Sequence, residues 1–168
     1  MVTPDSSEFG RRAEDCVLIA DDHEHSRSAA RLVLEDSGFT VIEARTGYDA
    51  LVLARIRRPC VMLLDIVLPE IDGIELTRMM RADPVLRYSA IIAFTACSGS
   101  DYREAALAAG CDEFVTKPVA APHLVELVRL CARRVAPSAN DHELLGAAGA
   151  IAVPPYVVPV PVGTVSVP

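Results

Sequence analysis

The sequence predicts an α/β domain, a parallel β-sheet with helices on both faces. Five short apolar runs of strand length alternate with amphipathic stretches between residues 16 and 135. Three of these runs are apolar almost throughout, as expected of parallel strands covered on both sides. The β-α alternation repeats five times, and right-handed crossovers turn such a repeat into a parallel sheet. Period and length leave the strand order open.

The elements follow in chain order. Cys16-Val-Leu-Ile-Ala20 is the first strand. Ser26 to Ser37 reads as a helix, with Ala30, Val33 and Leu34 at i, i+3, i+4 spacing and Gly38 as its stop. Phe39-Thr-Val-Ile-Glu43 is the second strand. Thr46 to Arg57 opens on a capping threonine and carries Ala50, Leu53, Ala54 and Arg57 along one side. Cys60-Val-Met-Leu-Leu64 is the third strand. Asp72 to Arg81 is the third helix, ended by Asp83-Pro84, because the residue before a proline is pushed out of the helical region. Ala90-Ile-Ile-Ala-Phe94 is the fourth strand. Ser100 or Asp101 opens a short Ala-rich helix that stops near Gly110. Glu113-Phe-Val-Thr116 is the fifth strand. Ala120 to Val135 is the longest helix, with Pro122 in its first turn and Leu124, Leu127, Val128 and Cys131 in one stripe.

Composition narrows the functional classes. The chain has 168 residues, 16 Lys+Arg and 23 Asp+Glu, for a formal charge of −7. That balance argues against nonspecific nucleic-acid binding, which depends on cations neutralising phosphates. The five cysteines, Cys16, Cys60, Cys97, Cys111 and Cys131, are dispersed, with no CxxC or metal spacing. They read as reduced thiols of a cytoplasmic protein. Residues 1–15 read as a flexible leader without a secretory signal. Residues 136–168 carry no charge after Glu143 and are interrupted by Pro154, Pro155, Pro159, Pro161 and Pro168. This segment reads as a disordered or polyproline-like tail, since repeated prolines argue against a membrane helix. One lysine, Lys117, stands in an otherwise arginine-only set of basic residues.

In an open α/β sheet, ligands bind beyond the carboxyl ends of the strands. Strand 1 ends in Asp21-Asp22, strand 3 in Asp65, strand 4 in Thr95 and strand 5 in Lys117, followed by Pro118. Singly, each has an ordinary reading: a helix-entry acidic pair, a solvated strand end, a cap, a surface charge. Jointly they make an oxygen-lined site suited to a hard divalent cation such as Mg²⁺. A carboxylate can attack phosphorus to give an aspartyl phosphate. Phosphoryl transfer then needs its oxygens neutralised, which a metal, an ammonium and a hydroxyl supply. A compact ammonium is not replaced well by a guanidinium, which gives the lone lysine a reason to persist. His23 and His25, beside the acidic pair, read as solvated helix-entry residues, and His123 and His142 have no evident partners.

These residues resemble the receiver domain of two-component response regulators over residues 16–135. The motifs that carry the resemblance are Asp21-Asp22, Asp65-Ile-Val-Leu-Pro-Glu-Ile-Asp-Gly73, Ala90-Ile-Ile-Ala-Phe-Thr-Ala96 and Lys117-Pro118. The resemblance implies a flavodoxin-like sheet in the order 2-1-3-4-5. It implies that Asp65 accepts a phosphoryl group from a histidine kinase or histidine phosphotransfer protein. Asp22, Asp65 and the backbone carbonyl of Val67 would hold Mg²⁺, with Asp21 acting through a bound water. Thr95 and Lys117 would each hold a phosphoryl oxygen, Phe114 would be the aromatic switch partner of Thr95, and Lys117-Pro118 would be cis. Val67 and Cys97 occupy positions that influence phosphoryl lifetime in this family, and neither side chain orients a water well, so slow self-dephosphorylation is expected.

The output implied is a change in the face made by helix 4, strand 5 and helix 5, with Tyr102, Arg103, Phe114, Leu124 and Arg129 as candidates. That face would meet a downstream protein or a second, phosphorylated copy. Residues 136–168 are too short and too uncharged for a DNA-binding or enzymatic output domain, so a stand-alone receiver is expected, though a receiver from a hybrid kinase stays open. A dehalogenase-type phosphatase would need an aspartate two residues after Asp65, where Val67 stands. An inert pseudo-receiver, or a scaffold acting through its tail, remains an alternative.

Overall fold

In the computed structural model, which describes residues 15–135, five strands and five helices alternate along the chain. They are β1 (Cys16–Ala20), α1 (Glu24–Asp36), β2 (Thr40–Ala44), α2 (Gly47–Arg57), β3 (Val61–Leu64), α3 (Gly73–Ala82), β4 (Ala90–Thr95), α4 (Ser100–Ala109), β5 (Glu113–Thr116) and α5 (Ala121–Val135). The expected tail lies outside the described residues, and so does the expected leader except for Asp15.

The sheet runs β2-β1-β3-β4-β5, all parallel. Strand alternation divides the core in two. Leu18, Ala20, Met62, Leu64, Ile91 and Ala93 face one side, where Ala50, Leu51 and Ala54 of α2, Leu76 and Met80 of α3, and Ala106 of α4 cover them. Val17, Ile19, Val61, Leu63, Ile92 and Phe94 face the other, against Ala30 and Leu34 of α1 and Leu124, Val128 and Cys131 of α5. β1, β3 and β4 are buried along their whole length, which is why their sequences are apolar without alternation.

Helix boundaries follow their caps. Thr46 is the capping threonine that the sequence predicts, and Asp72 lies one residue outside the helix it was expected to open. Each is the N-cap: Thr46 Oγ1 accepts from Asp49 N at 3.0 Å, and Asp72 Oδ1 accepts from Ile74 N and Glu75 N, both at 2.9 Å. α1 begins two residues before the expected Ser26, with His23 as its extended N-cap and Glu24 in the favourable first turn. α3 gives way at Asp83, whose backbone is extended as Pro84 requires. α4 ends on Gly110 at φ +113°, a conformation that costs other residues about 1–2 kcal/mol.

Two details differ from the sequence reading. In α2, Leu51 is buried and Arg57 is exposed, so the core stripe is Gly47, Ala50, Leu51 and Ala54. Between α3 and β4, Leu86 is fully buried in a turn where no periodic pattern marks it. Of the five cysteines, four are buried, Cys97 is half-buried, and none is in a disulfide. Burial pushes the Cys60 thiol up to about 12, aided by the neighbouring Cys16.

Candidate functional site

Parallel pairing brings the carboxyl ends of β1, β3, β4 and β5 to one edge, with β1, β3 and β4 adjacent in the sheet. The backbone ladder continues past the strand ends and fixes the residues there. Asp65 N donates to Ala20 O at 2.9 Å, Lys117 N to Thr95 O at 2.8 Å and Asp21 N to Ala44 O at 3.2 Å. The peptide Lys117–Pro118 is cis, as expected.

The side chains converge. Lys117 Nζ sits 2.5 Å from Asp21 Oδ2 and 2.8 Å from Asp65 Oδ2. Thr95 Oγ1 donates to Asp65 Oδ1 at 2.8 Å, and Val67 N donates to the same oxygen at 3.1 Å. Cys97 N in turn donates to Thr95 Oγ1 at 3.2 Å. Asp21, Asp65 and Thr95 are buried, and Lys117 is half-buried. Burial works to raise the Asp21 carboxyl, but hydrogen bonds from Lys117, Ser26 and His23 N–H outweigh it and hold the group below the usual carboxylate range. Asp21 is therefore charged at neutral pH.

Asp22 is exposed beside it. His23 Nδ1 lies 2.7 Å from Asp22 Oδ1 and 3.7 Å from Asp21 Oδ1, a contact the sequence did not foretell, although the His23 ring is solvated as expected. One donor atom from each of Asp21, Asp22 and His23 lies within 4.8 Å of the others. Asp65 joins this group through the ammonium it shares with Asp21. The carboxylates of Asp21, Asp22 and Asp65 are hard oxygen donors, and they fit Mg²⁺ by chemistry.

The loop after Asp65 is held tightly against it. Gly73 N donates to Ile66 O at 2.8 Å, and a Cβ at Gly73 would run into the carbonyl of Asp65. The Asp72-Gly73 pair thus has a local reason: Asp72 caps α3, and Gly73 lets that helix start against the backbone of Asp65.

Phe114 is half-buried and packs against the α2–α4 side of the core. The Arg103 guanidinium lies 5.8 Å from its ring centroid. Tyr102 and Arg103 are exposed on α4, as an output face requires. Leu124 corrects the sequence reading, since it is buried in the core beneath α5. Arg129 is exposed, and its Nη2 reaches Ser37 O at the end of α1.

Sequence reasoning missed three residues at this edge. Phe94 lies under Lys117, with the ammonium 4.8 Å from its ring centroid. Ser26 helps to hold the Asp21 carboxylate. Arg27 is buried and donates to the Asp21 backbone carbonyl at 2.7 Å. A signal for Arg27 existed: with Ala30 and Leu34 it falls at i, i+3, i+7, which puts a charge on the core side of α1.

The family model of the response regulator receiver domain matches residues 17–129. The polar-differentiation response regulator DivK of Brucella anthropi is 36% identical over 113 residues, covering 67% of this chain and 92% of that protein. Among solved structures, the signal receiver domain of a signal transduction histidine kinase from Syntrophus aciditrophicus superposes with a TM-score of 0.69 at 27% identity, covering 74% of this chain and 94% of that one. The receiver domain of the sensor histidine kinase PA1611 from Pseudomonas aeruginosa, solved with a magnesium ion coordinated in its active-site cleft, gives a TM-score of 0.67 at 28% identity, covering 71% and 98%. Family match, strand order and the convergence of charged strand ends agree, and the chain belongs to the response regulator receiver domain family.

Proposed function

We propose that this protein accepts a phosphoryl group on Asp65 from a histidine kinase or histidine phosphotransfer protein and signals by a change in its α4–β5–α5 face. The observation that carries this reading is the placement of Lys117 between Asp21 and Asp65, with the Thr95 hydroxyl on the other oxygen of Asp65.

The chemistry is an in-line exchange at phosphorus. An oxygen of Asp65 forms the new O–P bond, the N–P bond of the donor phosphohistidine breaks, and its electron pair returns to the imidazole, which takes up a proton. Asp22, Asp65 and the Val67 carbonyl would hold Mg²⁺ directly, with Asp21 acting through a bound water. Bound there, the ion would neutralise charge on the phosphoryl oxygens. Lys117 supplies a second positive charge from within 2.8 Å of Asp65, and Thr95 supplies a hydroxyl donor. Asp21, held charged, keeps the Lys117 ammonium in place.

The switch follows from the same contacts. A phosphoryl group on Asp65 competes for the Thr95 hydroxyl and the Lys117 ammonium, which end β4 and follow β5. Phe114 on β5 and Arg103 on α4 lie where that competition would be felt. The target is a downstream protein or a second phosphorylated copy. Five cysteines outside any disulfide support a cytoplasmic setting. Among the described residues no helix is long and apolar enough to cross a membrane. Val67 is exposed and Cys97 is half-buried, and neither side chain presents a group that would direct a water at the phosphoryl. A phosphoryl lifetime of minutes or longer is expected, and a half-life of seconds contradicts it.

Intact mass after incubation with Mg²⁺ and acetyl phosphate tests the reading. The parent gains one phosphoryl group and Asp65→Asn gains none. No gain in a folded parent that also fails to bind Mg²⁺ identifies an inert receiver-like module instead.

A further inference from the structure

We infer that Arg27 is the positioning residue of the cation site: it sets the direction in which the Asp21–Asp22 peptide leaves β1, and so the presentation of both carboxylates. The inference rests on the proposed reading of Asp21, Asp22 and Asp65 as the cation and phosphoryl site.

Arg27 sits in the first turns of α1 and is 3% exposed. Burying a guanidinium is costly unless its donors are satisfied, so its position demands a reason. Two strong partners account for it. Nη1 donates to Asp21 O at 2.7 Å, and Nε donates to Glu43 Oε1 on β2 at 3.0 Å. Arg27 therefore ties the end of β1 to α1 and to the edge strand β2.

The Asp21 carbonyl is the informative contact. It belongs to the planar peptide that joins Asp21 to Asp22. Its direction therefore constrains where the Cα of Asp22 goes. Asp21 N is already fixed by Ala44 O at 3.2 Å. With the carbonyl fixed by Arg27, both backbone polar groups of Asp21 are held. Asp22, whose side chain is exposed and meets His23 Nδ1 at 2.7 Å, takes its place from that peptide. The arrangement also spares the ligands. Lys117 occupies carboxylate oxygens of Asp21 and Asp65, whereas Arg27 takes a main-chain oxygen and leaves the Asp22 and Asp21 carboxylates to the cation. Supporting partners of this kind typically change metal affinity by about 10–100-fold when removed.

Arg27→Met is the informative variant. It removes the contact to Asp21 O but orphans no carboxylate, because Arg31 Nε lies 3.2 Å from Glu43 Oε2. Mg²⁺ titration calorimetry on the full chain, paired with the unfolding midpoint without Mg²⁺, separates positioning from simple stability. The control is Leu34→Ala, a fully buried residue on the same helix. Leu34→Ala is expected to lower the midpoint and keep the parent's affinity. Arg27→Met is expected to bind Mg²⁺ roughly tenfold more weakly. Glu43→Gln loosens the other end of the clamp and weakens binding in the same direction by a smaller factor, so it carries the test if Arg27→Met fails to fold. Parent affinity in the Arg27 variant, or in Glu43→Gln where that is the one that folds, overturns the inference alone. A folded parent that takes up no Mg²⁺ overturns the site reading and the inference with it.

Discussion

Asp83 shows how one carboxylate is held and what its protonation would do. Its Oδ1 accepts from Val85 N at 2.8 Å, and its Oδ2 accepts from Arg55 Nε at 2.7 Å. Burial works to raise its pKa, but the bonds from Val85 N–H and Arg55 prevail and hold the group below the usual carboxylate value. A carboxyl lowered in the folded state contributes stability above its unfolded pKa of about 4, and loses it as pH falls through the folded value. Asp83→Asn is therefore expected to cost about 1 kcal/mol at pH 7, with the gap closing below about pH 4. Urea unfolding at the two pH values measures it. Legibility at this scale depended on contrast. Lys117 stood out because it is the lone lysine, and it lies at the centre of the site. Arg27 is as well placed but was masked by the arginine-rich background. Phe94 was masked because an aromatic in an apolar strand looks like ordinary core.

Between elements, polar clasps do what apolar packing cannot specify. Arg81 of α3 donates to Gly110 O at 2.8 Å, to Arg87 O at 2.8 Å, to Ser89 O at 2.7 Å and to Asp112 Oδ2 at 2.7 Å. Asp112 Oδ2 also accepts from Ile91 N at 2.7 Å. One guanidinium thus fixes the end of α4, the start of β4 and the turn between α3 and β4. Arg81→Met is expected to cost about 1–2 kcal/mol, because three main-chain carbonyls, two of them in half-buried bonds, lose their donor together. Hydrogen exchange is expected to speed up at Ile91 and Asp112, and unchanged exchange there contradicts the clasp. Gly73 is the corresponding constraint at the site. Gly73→Ala is expected to cost about 1–3 kcal/mol and to impair phosphorylation, since an added methyl pushes α3 away from Asp65. Thermal unfolding and intact mass with acetyl phosphate read the two effects. Element type and order were legible because each run has a clean period. Boundaries were less so: Asp72 serves as a cap rather than a first turn, and Leu51 takes the core position that spacing gave to Arg57.

At the scale of the molecule, α1 and α5 cover one side of the sheet and α2, α3 and α4 the other. Periodicity alone did not supply the strand order, because pairing is a long-range choice that local pattern does not encode. The acidic, hydroxyl and lysine motifs supplied it through family resemblance, and the β2-β1-β3-β4-β5 sheet agrees. That order puts β1 and β3 side by side, so that Asp21 and Asp65 share one ammonium. It also places β5 next to β4, where Phe114 pairs with Ala93, two residues before Thr95. Leu124 shows the reverse: helical spacing put it in the apolar stripe of α5, where the sheet buries it, and the surface role that came with the resemblance does not hold.

The central claim is that Asp65 is the phosphoacceptor. Borohydride reduces an aspartyl phosphate to homoserine, and tandem mass spectrometry then locates the converted residue. After incubation with Mg²⁺ and acetyl phosphate, the account predicts homoserine at position 65 alone, and none when Mg²⁺ is chelated. Conversion at position 21 or 22, or at none of the three in a folded protein, would contradict it.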